Sequence, residues 1–173
     1  MTLRVAISGF GRIGRMTLRA LAELQREDME IVLINSPGAI DTSAHLYEFD
    51  SVHGRSRGTV SHGADWMDIG RGKIHMSRER NPVDIPHRDH GVDVVLECSG
   101  QFNEREKCLA HLDAGAKRVL VSAPCKDADA TIVYGVNHHQ ITPEMRIISN
   151  ASCTCLLYTS HAADDTCCVY VRG

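Results

Sequence analysis

At 173 residues the chain has room for one domain with a substantial core, or one domain with a remnant. Its formal net charge is -3, and arginine and lysine are scattered without a run or stripe, which argues against a nucleic-acid partner. No stretch reaches the apolar length of a membrane span, and Met1 to Arg4 leads straight into a strand rather than a signal peptide, so a cytoplasmic location without membrane contact is expected.

The apolar run Leu3 to Ile7 predicts a buried strand ending near Ser8. Gly9-Phe10-Gly11-Arg12-Ile13-Gly14 follows, and a helix carrying Leu18, Leu21 and Ala22 is expected to run to about Arg26. A strand, a glycine turn and a helix start in this order form the dinucleotide fingerprint. Gly9 can take the angles of a tight turn, Gly11 lets a phosphate approach the main chain, and Gly14 permits close helix–strand packing. The free N–H groups and dipole of the helix start face the phosphates.

Glu30 to Asn35 reads as the next strand. Asp41-Thr42-Ser43 can cap a short helix carrying Ala44, Leu46 and Phe49. Between Gly58 and Met76, short runs broken by glycine predict an antiparallel excursion, and Pro82 and Pro86 mark a loop. Val92 to Glu97 is a strongly apolar strand ending at Ser99-Gly100. Asn103 and Glu106 have capping-box spacing before a helix through Leu109 and Leu112, which Gly115 can close. Arg118 to Ser122, Thr131 to Tyr134 and Met145 to Ile148 complete the strands. Apolar strands interleaved with helices predict an α/β domain with a doubly wound, mainly parallel sheet of the Rossmann type over residues 1–150.

In such a sheet, ligands collect beyond the carboxyl ends of the strands. Gly9 to Gly14, Asn35-Ser36, Ser99-Gly100 and Ser122-Ala123-Pro124 all fall at those ends and together read as a cofactor groove. The seven cysteines include no CxxC pair, so neither a disulfide framework nor a zinc site is indicated. His138 and His139 are adjacent and point apart, so no metal is expected there. Cys153 follows a strand and could open a helix whose dipole would stabilise its thiolate. Spacing alone favours a buried structural cysteine at that position.

Several segments alter that balance. Ile7 to Arg15 resembles the opening pattern of the phosphorylating glyceraldehyde-3-phosphate dehydrogenase family, with Ser8 where the family has asparagine. Phe49 to Arg55, Glu97 to Gly100 with Phe102, Val121 to Pro124, Gly135 to His138 and Ser149 to Thr154 are similar to further family segments, in family order and spacing over residues 2–154. The resemblance implies an oxidoreductase of glycolysis that uses NAD or NADP, an aldehyde sugar phosphate and inorganic phosphate, and forms homotetramers when complete. Arg12 and Ile13 should meet the pyrophosphate, Ser99 and Gly100 should line the groove, and Ser122 should lie near the nicotinamide. Cys153 should be the nucleophile, with Ser152 and Thr154 near the phosphate of the substrate or the inorganic phosphate. The sulfur would add to the aldehyde, the carbon of the resulting thiohemiacetal would pass a hydride to the nicotinamide, and phosphate would attack the thioester to release an acyl phosphate and restore the thiolate.

Two departures qualify these expectations. The family usually ends its second strand in Asn-Asp, and here Asn35-Ser36 removes the carboxylate that would repel NADP, so relaxed NAD/NADP choice is expected. Residues 151–154 start the catalytic domain, whereas 155–173 do not resemble the family and read as a non-native tail. The rest of the catalytic domain, with its general-base histidine, is then expected to be absent, and His161 could substitute only by folding over the cysteine. The expected reading is a dehydrogenase fragment. The alternatives are an NAD(P)-binding module without turnover, a fragment of the related erythrose-4-phosphate dehydrogenase, and an unstable partial product exposing apolar surface.

Overall fold

A computed structural model describes residues 2–151. Strand β1 (Leu3–Ser8) leads into α1 (Arg12–Glu23), β2 (Met29–Asn35) and α2 (Ile40–Glu48). Short strands β3 (Phe49–Asp50) and β4 (Gly54–Arg55) pair with each other, and β5 (Ser61–His62), β6 (Trp66–Asp68) and β7 (Lys73–Ser77) follow. Then come a 3-10 turn at Pro82–Asp84, β8 (Val94–Glu97), α3 (Arg105–Asp113) and β9 (Arg118–Val121). Strand β10 (Ala130–Ile132), a 3-10 turn at His138–Gln140 and β11 (Ile147–Asn150) complete the described chain.

The main sheet has the order β10-β11-β9-β8-β1-β2-β7-β6-β5. Every pairing from β10 to β7 is parallel, and β7, β6 and β5 form the expected antiparallel excursion. Strand β1 lies between β2 and β8, so the winding reverses there. That reversal opens a crevice beyond the carboxyl ends of Ser8 and Glu97, which are partners in register.

Successive strand residues point to opposite faces and fill two separate cores. Ala6, Leu33, Val95 and Val119 pack with Cys108 and Leu112 of α3. Ile7 and Ile34 pack on the other face with Leu18, Ile40, Tyr47 and Met67. Both faces of the sheet are therefore covered, which is why its central strands read as continuous apolar runs.

Several predicted boundaries move. Helix α1 stops at Glu23 rather than near Arg26, because Leu24 donates back to the Ala20 carbonyl at 2.9 Å and Gln25 turns left-handed at φ 50°. Ala39 takes the cap position of α2, while Asp41 lies inside the first turn and Phe49 has left the helix for β3. Asn103 does not cap α3. The Arg105 amide instead donates to the Lys126 carbonyl at 2.9 Å, and Glu104 pairs with Lys126, so a strand-like bridge sets the helix start. Gly115 does close α3: at φ 111° it donates to Leu112, and Ala116 donates to His111, the two bonds of a Schellman ending. Strands β10 and β11 are shifted by one or two residues from expectation, leaving Tyr134 outside β10 and 86% exposed.

Candidate functional site

The ends of β1, β2 and β8 meet the loop after β7 around a cavity of about 360 Å³. Ser8, Gly9, Asn35, Pro37, Ser99, Gln101 and Phe102 line it, with Glu79, Arg80, Pro82 and Ile85 from the loop. The sequence marked Gly9, Asn35 and Ser99. It missed the loop residues because nothing in the run showed that β7 would pair in parallel with β2 and deliver its own carboxyl end to the same crevice.

The three glycines have three distinct geometries. Gly9 is left-handed at φ 90°, and a Cβ there would lie 2.5 Å from both Cα and N of Ser99. A Cβ on Gly14 would meet the Gly9 carbonyl oxygen at 2.3 Å, so α1 sits against the turn with no room for a side chain. Gly11, at the cap position of α1, has nothing within 4 Å of the place a Cβ would occupy. Two glycines are thus required by packing, and the middle one keeps open space at the helix start. No acidic residue occupies the first turn of α1 to cancel its dipole. Bare backbone, open space and exposed N–H groups fit a dinucleotide pyrophosphate.

Arg12 reaches from the same helix start to Asp50 at 3.3 Å. Asp50 also accepts the amides of His53 and Val52 at 2.9 Å each, and these two bonds, ahead of Arg12, hold its carboxyl below the usual range. Half of the Arg12 side chain remains exposed, and Ile13 is exposed beside it. Arg15 donates to the Phe10 carbonyl at 2.9 Å, and burial together with Arg12 lowers its pKa.

Two expected groove residues have side chains committed to the fold. The Phe10 ring is buried and stacked on Tyr47 with centroids 6.5 Å apart, so it fills the core under the turn and offers the groove only its backbone. The Asn35 amide is committed to the fold: Nδ2 donates to the Glu79 carbonyl at 2.9 Å, and Oδ1 accepts from Ser77 Oγ and the Glu79 amide at 2.9 Å each. It locks the loop after β7 to β2. Ser36 donates its amide to the Ser77 carbonyl at 3.0 Å and stays half-buried.

Ser99 donates its amide to Glu97 Oε1 at 2.7 Å and its hydroxyl to the same oxygen. Gly100 follows, exposed and left-handed at φ 73°. Ser122 donates its amide to the Glu97 carbonyl at 3.0 Å. Burial pushes Cys98 up to about 11 and Cys108 up to about 12, and raises Cys125, so these three thiols remain protonated at neutral pH. Ser152, Cys153 and Thr154 lie outside the described residues, as do His161 and the rest of 155–173.

Sequence reasoning also missed a buried polar line behind Ser99. Glu97 Oε2 is 3.0 Å from His111 Nε2, and His111 Nδ1 is 3.1 Å from His87 Nε2. These residues are nearly inaccessible. Nothing in the sequence separated His87 and His111 from the other histidines, because only the docking of α3 on the loop after the 3-10 turn brings them together.

The family model described as glyceraldehyde 3-phosphate dehydrogenase, NAD binding domain, matches residues 3–105. A glyceraldehyde-3-phosphate dehydrogenase of Xanthobacter flavus is 54% identical over 167 residues, covering 95% of this chain and 50% of the relative. The protein of that name from Cereibacter sphaeroides is 57% identical over 154 residues, covering 89% of this chain and 46% of the relative. One from Streptomyces coelicolor is 48% identical over 155 residues, with the same two coverages of 89% and 46%. The chain spans about half the length of the curated relatives it matches. Among the described residues no helix is long and apolar enough to cross a membrane.

Proposed function

This chain belongs to the glyceraldehyde-3-phosphate dehydrogenase family and carries its NAD-binding domain, and from that premise we propose that it binds NAD across the groove above Gly9, Gly11 and Gly14. We propose further that the complete protein oxidises an aldehyde sugar phosphate to an acyl phosphate. The observation that carries the cofactor reading is the contrast between the filled sites at Gly9 and Gly14 and the open one at Gly11.

In this reading the backbone from Gly9 to Gly14 and Arg12 hold the pyrophosphate, Ile13 lies beside it, and Ser99 and Gly100 form the facing wall. Ser122 is placed toward the nicotinamide. Bound NAD supplies the oxidising power, accepting the hydride that leaves the substrate carbon. Cys153 is the proposed nucleophile: its sulfur bonds the aldehyde carbon and keeps the acyl group as a thioester, which inorganic phosphate cleaves to restore the thiolate. Ser152 and Thr154 are proposed to hold the phosphate group. The cytoplasm is the proposed location and a homotetramer the proposed assembly of the complete protein. Within it, residues 1–150 form the cofactor domain and 151–154 begin the catalytic one.

A second reading concerns the cofactor. Ser36 puts no carboxylate at the end of β2, and Arg80 lines the same cavity together with Glu79. A missing repulsion with mixed charge nearby favours relaxed use of NAD and NADP over strict choice of either. Thermal unfolding of the chain with and without NAD tests binding, since only a formed groove gains stability from the ligand. Aldehyde- and phosphate-dependent NADH formation by the complete protein tests the reaction. NADH formed without phosphate would count against the acyl phosphate product.

A further inference from the structure

A second cavity, of about 470 Å³, lies at the end of α1 away from the groove, between the helix, residues 56–58 after β4 and residues 69–71 between β6 and β7. The 12 residues of α1 put roughly 18 Å between its two ends. Two hydroxyl-bearing side chains in the cavity wall are almost wholly buried, Tyr47 at 2% exposure and Ser56 at 7%. Ser56 Oγ has no hydrogen-bond partner among the described residues, and none is found there for the Tyr47 hydroxyl. The charges acting on that hydroxyl are those of Arg19, Glu23 and Arg71, which all line the same cavity. Burial raises the Tyr47 pKa, so the phenol keeps its proton and is a donor. A buried hydroxyl left unbonded is costly, and two in one wall mark a place where a ligand supplies the acceptors.

The charged residues of the wall favour an anion. Arg19 is 4% exposed and uses three donors on the fold: Nε to Glu23 at 3.2 Å, Nη1 to the Gly54 carbonyl at 3.0 Å and Nη2 to the His53 carbonyl at 3.4 Å. A guanidinium has five, so two remain, and Glu23 is already answered. Arg71 donates to the carbonyls of Leu21 at 3.0 Å and Arg26 at 2.8 Å, which offsets the negative end of α1. Arg57 is exposed, and its side chain has no ion pair or hydrogen bond among the described residues. The opposing carboxylate is Glu27, at the rim shared with the neighbouring cavity along β2. Donors thus come from three elements: Arg19 of α1, Tyr47 of α2, and Ser56 and Arg57 after β4. The three terminal oxygens of a phosphate monoester can accept from all of them, whereas a carboxylate has only two. Ala22 and Ile69 add apolar wall for an organic group, and the volume is that of a small-molecule pocket.

We propose that this cavity is a second ligand site, separate from the cofactor groove, which takes a small phosphate monoester: Tyr47, Ser56, Arg19 and Arg57 hold the phosphate, and Ala22 and Ile69 meet the organic part. Glu27 weakens the site by repulsion and sets a preference for small esters over larger polyanions.

The test is an amide NMR titration of the full chain with glycerol 2-phosphate and with inorganic phosphate, at fixed ionic strength against chloride, without and with NAD. The expected result is saturable shifts at residues 56–58 and 69–71, the ester binding more tightly than inorganic phosphate, and the same affinity when NAD is present. Arg57→Ala removes an exposed side chain and should weaken the ester about tenfold. Tyr47→Phe keeps the ring stacked on Phe10 and should also weaken it, whereas Glu27→Gln should tighten it. Shifts that are scattered or do not saturate, displacement of the ester by NAD, or an Arg57→Ala variant that binds as tightly as the wild type would overturn the proposal. The wild-type titration and Arg57→Ala decide the matter even if Tyr47→Phe does not fold.

Discussion

The Cβ that Gly14 lacks would fall 2.3 Å from the carbonyl oxygen of Gly9, whereas the one Gly11 lacks would meet nothing within 4 Å. Residues three apart in one motif therefore serve different ends. Gly14 lets helix and turn touch, and Gly11 keeps the approach to the backbone clear. Gly14→Ala should cost about 3 kcal/mol, because the clash is with backbone that cannot rotate away. Gly11→Ala should unfold like the wild type and bind NAD at least tenfold more weakly. Chemical denaturation and NAD titration of both variants check this; equal destabilisation would contradict the division of roles.

Asn35 couples fold to binding. Its amide makes three hydrogen bonds to Ser77 and Glu79, tying the loop after β7 to β2. Asn35→Ala should lower stability by about 2 kcal/mol, since the Ser77 hydroxyl and Glu79 backbone lose their buried partner. Weaker NAD binding should accompany it, because the loop supplies one side of the groove. Urea denaturation with and without NAD measures both effects.

His87 makes the fold acid-sensitive. Its pKa falls from the ordinary 6.5 to about 3 through burial, then through His111 and His90. The unfolded chain thus binds a proton below pH 6.5 that the folded chain refuses until about pH 3. The stability contribution is complete above pH 6.5 and is lost as pH falls through that window. Between pH 7.5 and 5 the loss from this group should be about 2 kcal/mol. His87→Phe should reduce that loss in urea denaturation at the two pH values; an unchanged loss would place the acid sensitivity elsewhere.

Ser36 sets up a cofactor comparison. With no carboxylate at the end of β2, dissociation constants for NAD and NADP should lie within a hundredfold, or about 2.7 kcal/mol. Ser36→Asp should weaken NADP at least tenfold and leave NAD nearly unchanged. A wild-type preference for NAD beyond a hundredfold would contradict relaxed choice.

The parts of this fold legible in sequence were those that depend on local chemistry. Consecutive apolar residues such as Leu33 and Ile34 face two different cores, and that double burial is visible as an unbroken run. The tight turn read at Gly9 and the close helix–strand packing read at Gly14 are the local geometries observed, and Gly11 has open space at its Cβ position. What sequence could not supply was the partner across space. Asn103 has the spacing of a cap, but a bridge to Lys126 fixes the start of α3. Phe10 belongs to the fingerprint, yet its ring stacks on Tyr47. His87 and His111 are 24 positions apart and meet only after α3 docks.

Isothermal titration of NAD into the folded chain tests the central claim most directly, with Gly11→Val beside it. Saturable one-to-one binding by the wild type is the expected result, with the valine variant keeping its unfolding transition and losing the heat. A well-folded wild type that takes up no NAD, or a valine variant that binds as tightly, would contradict the assignment of the Gly9–Gly14 turn as the pyrophosphate site.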